Sequence, residues 1–427
     1  MRQRAPDRRA GRNRRGWDRP GRVCQAGHVP DLLPFRGLRY DPARVRLHDV
    51  IAPPYDVISP TERRRLAARH SANSVQLELP EPDLRTGLDR YAVAASLLAD
   101  WRQRGLLVPD AKVALYPYRM TQPDGRTTTG VIGALGLPEP GSDGDVLPHE
   151  ETLPKPRSDR LELLRATRAN FSPIWGLSLT AGLSASFEPE GPPDAEALDD
   201  DRVLHQLWVL DDAERVESTR RAVAASPVVI ADGHHRYQTA LAYRDERRRA
   251  GQASTADEQV MALVVELAED QLHVGPIHRS LSGLPGGAEG ALAAFGQWFD
   301  LVRAGPSDER TLAALGRSGS LALVTTGGAY LLTPTPKALE AAGDSLDSGL
   351  VALALDELPG VACGHPHTWE EAASAFAAGE AEAVVLLRPP TVTQIAEWAA
   401  ARRTMPPKST YFSPKPRTGM VFRLLDP

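Results

Sequence analysis

The sequence predicts a mixed α/β, or α+β, fold. Short apolar or alternating runs of strand length are interspersed with stretches of helical period, and turn sequences separate them. The spacing is not the regular alternation of a doubly wound sheet, and no internal repeat is visible. With 427 residues and 42% hydrophobic content, the chain is expected to form two or three structural units, because single cores seldom grow past about 250–300 residues. Two cysteines, Cys24 and Cys363, exclude a disulfide framework and a four-thiolate zinc site. No apolar run approaches the ~20 residues of a membrane-spanning helix, so a cytoplasmic, membrane-free protein is expected.

Taken in order, the chain begins with a basic head. Residues 1–22 carry nine Arg and two Asp, a charge of +7, which leaves –12 on the remainder. Residues 1–28 are expected to be an unstructured extension, since charge blocks of this kind rarely fold. An acidic body repels a phosphate backbone, so nucleic acid is not expected as a partner of the folded part, and only the head carries the charge to attract it.

Two α/β regions are expected to follow, 29–185 and 202–427, divided at the polar, proline-rich stretch 187–201. In the first, Val-Ile-Ala-Pro-Pro-Tyr-Asp-Val (50–57) must be extended or turning, because paired prolines fix φ and remove two donors. A helix over 61–70 can be capped by Ser59 or Thr61. Tyr91, Ala94, Ala95, Leu98 and Trp101 recur at helical spacing and predict a helix over 88–104. Runs 112–120 and 130–137 flank Pro-Asp-Gly and predict a hairpin, and a helix is expected over 159–170. In the second region, strands are expected at 227–231, 259–267, 321–326, 329–333 and 383–387. Helices are expected after residue 233 to about 249 and at 291–299, 309–315, 369–378 and 392–402.

Three constellations carry chemistry. The sharpest is Val228-Val229-Ile230-Ala231-Asp232-Gly233-His234-His235-Arg236-Tyr237. A buried strand delivers a tight turn at Gly233, and the helix that follows offers unpaired N–H groups and a partial positive charge, which favour an anion. His234, His235 and Arg236 in the first turn oppose the helix dipole unless an anion compensates. Arg236 can grip phosphate oxygens as a fork, and Asp232 is placed to hold Mg²⁺ or accept a proton. The second constellation, His149-Glu150 with Lys155 and Arg160, mixes acid–base and phosphate-binding groups, although a charged loop before a helix cap is equally natural. In the third, Lys408, Ser409 and Lys415 sit on a proline-stiffened loop. Gly-His-Pro-His (364–367) lacks a third metal ligand at a recognisable spacing, and His365 and His367 are read as surface histidines.

The segments PFRGLRYDP, VIAPPYDVIS, NSVQLELP, LPHEETLPKPRSDRL, ADGHHRYQTAL and MPPKSTYFSPK together resemble the signatures of the bacterial and archaeal family called domain of unknown function 1015, over nearly the whole chain from about residue 34. That family is loosely labelled ParB-like. The ADGHHRY segment resembles the phosphate-binding strand–turn–helix of the ParB and sulfiredoxin superfamily, to which free-serine kinases also belong. His234 stands where sulfiredoxins have a catalytic cysteine, which argues against peroxiredoxin repair.

This resemblance implies a nucleotide- and Mg²⁺-dependent phosphotransferase acting on a small hydroxyl metabolite such as serine, with ATP or ADP as donor. In that reading Asp232, His234, His149 and Glu150 are catalytic and Asp232 also binds metal. Gly233, His235, Arg236, Lys155, Arg160, Lys408, Ser409 and Lys415 bind phosphate, and Tyr55 and Asp56 line the acceptor pocket. The alternatives are a nucleotide-binding ParB-like regulator and a hydrolase built on His149 and Glu150.

Overall fold

The computed structural model describes residues 30–139, 145–148, 156–343 and 346–426. The expected extension 1–28 lies outside them, as do His149, Glu150 and Lys155.

The central element is a nine-stranded mixed sheet. In spatial order its path runs Val146–Pro148, Val228–Asp232, Ile174–Ser178, Gln259–Glu266, Thr127–Gly136, Tyr116–Thr121, Leu204–Leu207 and Ala195–Leu198, with Leu32–Leu33 pairing to Thr127–Gly136 off that path. The boundary expected at 187–201 therefore runs through one sheet. Strands from both sides of it pair directly, and the polar stretch itself contributes the edge strand Ala195–Leu198.

The strands alternate as period two requires. Val228 and Ile230, with Val260, Ala262 and Val264, face one side, where Tyr237 and Ala240 of the helix His234–Arg249 pack. Val229, Ala231, Met261, Leu263 and Val265 face the other side, which Met405, Phe412, Met420 and Val421 cover together with Ile395 and Ala399. The C-terminal segment is thus a layer of the core. Its last strand, Phe422–Leu424, closes a four-stranded sheet with Leu107–Pro109, Gly37–Tyr40 and Ala169–Asn170, beside the helix Arg90–Gln103 whose Ala94, Leu98 and Trp101 are buried.

Residues 279–387 form a second module. Its antiparallel six-stranded sheet has the order Phe299–Gly305, Gly328–Pro334, Ala322–Thr325, Ala383–Leu386, Arg279–Ser282, Ala362–Gly364, with helices on both faces. The helix expected over 291–299 is Gly287–Gly296, and Phe299 opens the next strand instead.

What fixes the C-terminal layer is a buried polar network. Arg417 Nε donates to Asp199 Oδ2 at 2.6 Å, and His205 Nε2 lies 2.8 Å from the same oxygen. Tyr118 Oη is 2.7 Å from His205 Nδ1 and accepts from the Arg417 backbone N–H at 3.2 Å. Burial raises the Asp199 carboxyl, but His205 and Arg417 outweigh it and hold the group far below the usual carboxylate range. Removing one partner of a buried pair strands the other charge. Arg417→Ala is expected to lower unfolding stability by about 3–5 kcal/mol in urea titrations, and a loss under about 1 kcal/mol would show the network to be dispensable.

Candidate functional site

The site is built on the strand Val228–Asp232 and the helix His234–Arg249. Four buried apolar residues commit the strand to the sheet interior, between Ile174–Ser178 and Val146–Pro148. Its register shifts between Ile230 and Asp232, which pair with Gly176 and Trp175. Such a bulge re-aims the side chain that follows it, here Asp232. The chain then turns at Gly233 with φ +87°, and a Cβ added there would sit 3.1 Å from the backbone Cα of Ile174. Both the left-handed conformation and the close approach require glycine. Gly233 is also the N-cap, no side chain caps this 16-residue helix, and the positive end of its dipole lies at this turn.

Asp232 holds two cations. Its Oδ2 accepts from Arg236 Nη2 at 2.9 Å, and its Oδ1 accepts from Lys415 Nζ. Arg236 also donates through Nη1 to Ser172 Oγ at 3.1 Å and to the Pro173 carbonyl. All three side chains are nearly buried, with 11–15% exposure. Burial alone raises the Asp232 carboxyl, but Lys415 and Arg236 reverse that and hold it at about 2. Lys415 is opposed by burial and rescued by Asp232 and Asp56, which leaves its ammonium above its ordinary value. The triad carries a net charge of +1 at neutral pH, and it sits at a helix N-terminus. Arg236 Nε and His235 Nε2 are buried with no hydrogen-bond partner among the described residues.

Tyr55 forms one wall. Its ring lies 4.3 Å from the Arg160 guanidinium and 6.0 Å from that of Arg236, and burial pushes its hydroxyl up to about 12. Asp56, exposed on the same turn, adds negative charge at Arg236 and Lys415. A cavity of about 50 Å³ beside this wall is lined by Glu78, Arg160, Ser172, Arg236 and Thr239.

The fold therefore brings together Tyr55, Asp56, Asp232, Gly233, His234, His235, Arg236 and Lys415. Arg160 is a brace. It is 7% exposed, with its donors committed to Asp159 and to Glu78. Ser409 is also committed, 2.6 Å from Ser348 Oγ and bonded to the Pro406 carbonyl. Lys408 is exposed, and its backbone carbonyl accepts from Arg279 at 3.1 Å. An Mg²⁺ ion does not fit on Asp232 as the site stands, because two cations occupy the two oxygens. No group of three or more His, Cys, Asp or Glu residues is placed to hold a metal among the described residues. Ser172, which nothing nearby in the chain marks, is not among the expected site residues, and His367, read as a surface histidine, is half-buried.

These features define a mixed α/β protein with a cationic strand–turn–helix seat. The chain belongs to the family described as Protein of unknown function (DUF1015), whose model matches residues 32–356. No curated protein matches it. Similar solved structures include a free serine kinase in complex with AMP (14% identity, 63% of this chain and 83% of that one, TM-score 0.35). They also include a conserved hypothetical protein from Pyrococcus furiosus (14%, 66% and 93%, TM-score 0.37) and SbnI with a C-terminal truncation from Staphylococcus aureus (11%, 66% and 86%, TM-score 0.36). Superpositions this loose carry no functional argument. No helix among the described residues is long and apolar enough to cross a membrane.

The Asp232 carboxyl titrates lower in the folded state than its unfolded value of 3.8. Its contribution to stability is therefore complete above that value and lost as pH falls toward about 2. Asp232→Asn is expected to flatten the acid limb of a stability-versus-pH curve relative to the wild type. Superimposable acid limbs would contradict the ion-pair assignment.

Proposed function

We propose that the protein is a nucleotide-dependent phosphotransferase acting on a small hydroxyl compound, with serine as one candidate. The observation that supports this best is the pairing of Arg236 and Lys415 on one carboxylate at an uncapped helix start. Phosphoryl transfer depends chiefly on positioning and on neutralising developing negative charge. Two nearly buried cations at the positive end of a helix dipole provide both, and an incoming polyphosphate can replace Asp232 as their partner. The Gly233 turn brings backbone close to that position without a side chain in the way. Tyr55 and Asp56, close to the two cations, are the residues proposed to meet the acceptor. Mg²⁺ is assigned no protein ligand in this reading, and Asp232 acts as a charge-holding group in place of the metal-ligand role expected for it.

The test is isothermal calorimetry with MgATP and MgADP. Wild-type protein is expected to bind. Arg236→Gln, which keeps a polar side chain but loses the charge and the guanidinium fork, is expected to weaken binding at least tenfold, and Lys415→Gln by a similar factor. Unchanged affinity in both variants would remove the phosphate seat from the account. A thermal-shift control separates lost binding from lost folding, because a ligand raises the midpoint only of a native state that binds it.

A further inference from the structure

Asp232 is a poor proton acceptor where it stands, since both of its oxygens are engaged and its carboxyl is held at about 2. A hydroxyl acceptor still has a proton to lose, and a positioned imidazole is the commonest group to take one. The second module supplies an imidazole. Thr368 caps the helix Trp369–Ala377, and Glu371 in its first turn reaches back to accept from the His367 backbone N–H at 2.8 Å. His278 N–H donates to the Pro366 carbonyl at 2.9 Å, so the segment before the helix is pinned on both sides. The His367 ring stacks on Tyr411 at 4.2 Å and 10°, and the Lys415 ammonium lies 5.4 Å from the centre of the same Tyr411 ring. Arg279 to the Lys408 carbonyl and Ser348 to Ser409 hold the module against this C-terminal loop. His367 is half-buried, and neither ring nitrogen is hydrogen-bonded among the described residues.

Resting on the phosphotransferase reading, we infer that His367, carried by the second module and locked on Tyr411 beside Lys415, is the base that takes the proton of the acceptor hydroxyl. The hydroxyl proton passes to a neutral imidazole nitrogen while its oxygen bonds to the terminal phosphorus of a nucleoside triphosphate. The bond from that phosphorus to the bridging oxygen breaks, the nucleoside diphosphate leaves with the electron pair, and the imidazolium later returns its proton to water. The groups facing the ring are Glu371 and Asp56, Lys415 and Lys408, His278 and Tyr411. Burial and the two lysines lower its pKa from the ordinary 6.5, against the pull of Glu371 and Asp56. The neutral form is thus present at neutral pH, and turnover falls as pH drops below that lowered value.

The experiment follows MgATP consumption by the full chain, with L-serine and with water alone as probe acceptors, across pH 5–9 (a range of roughly two units on either side of neutrality). His367→Gln and His367→Phe are compared, with nucleotide affinity measured in parallel. Phenylalanine keeps the stacked ring and loses only the nitrogens, so a structural role would be rescued by it. Both variants are expected to keep nucleotide affinity within threefold, lose at least fiftyfold in kcat, and lose the acid limb. Wild-type kcat with an intact acid limb in either variant overturns the inference. So does wild-type protein that binds nucleotide yet consumes none with either acceptor, an outcome that leaves the nucleotide seat standing. Wild-type protein that binds no nucleotide overturns the reading beneath it as well.

Discussion

Two positive side chains converge on the carboxylate of Asp232, and the rest of the site depends on that convergence. Arg236 comes from the first turn of the helix that follows Asp232, and Lys415 comes from the far end of the chain. Neither cation would be tolerable so nearly buried without the anion, since desolvating a lone charge costs several kcal/mol. The carboxylate stores the cations in place, and the surplus positive charge together with the helix dipole biases the seat toward a ligand of opposite sign. A site organised in this way needs little rearrangement when charge develops on a bound group.

That arrangement explains why the C-terminal segment is built into the core. Phe412, Met420 and Val421 cover one face of the central sheet, and Arg417 is tied to Asp199 within the Tyr118–His205 network two residues beyond Lys415. The apolar layer supplies the burial energy, and the polar network fixes the register of the loop. The second module presses on the same loop through Arg279 and Ser348. The lysine is therefore positioned by three parts of the fold, each contributing a different kind of contact.

Much of this was legible in the sequence because it is local. Residues 227–231 are an unbroken β-branched and apolar run ending in Asp-Gly, and the strand and helix lie within a residue of expectation. The hairpin around Pro-Asp-Gly and the helix Arg90–Gln103 follow from turn chemistry and apolar spacing in the same way. What was not legible is long-range. Ala195–Leu198 is an edge strand with half of its residues exposed, so neither composition nor alternation distinguished it from a loop. The polar residues Arg160 and Ser409 look like ligand contacts in one dimension, yet each is buried and bonded both to a residue close by in the chain and to one distant in sequence, Glu78 and Ser348 respectively. His367 sits among exposed residues in the chain, and only the fold lays its ring on Tyr411. Pairing across the sheet likewise overrode the domain boundary drawn at the proline-rich stretch.

The central claim is that Asp232 competes with a phosphate for the same two cations. Binding of inorganic tripolyphosphate to Asp232→Asn, compared with the wild type at fixed ionic strength, tests it directly. Removing the internal anion while keeping its shape should tighten binding at least threefold, with a steeper dependence on salt. Weaker binding by the asparagine variant, in a protein whose unfolding remains cooperative, would mean that Asp232 assists the ligand and that the proposed exchange of partners does not occur.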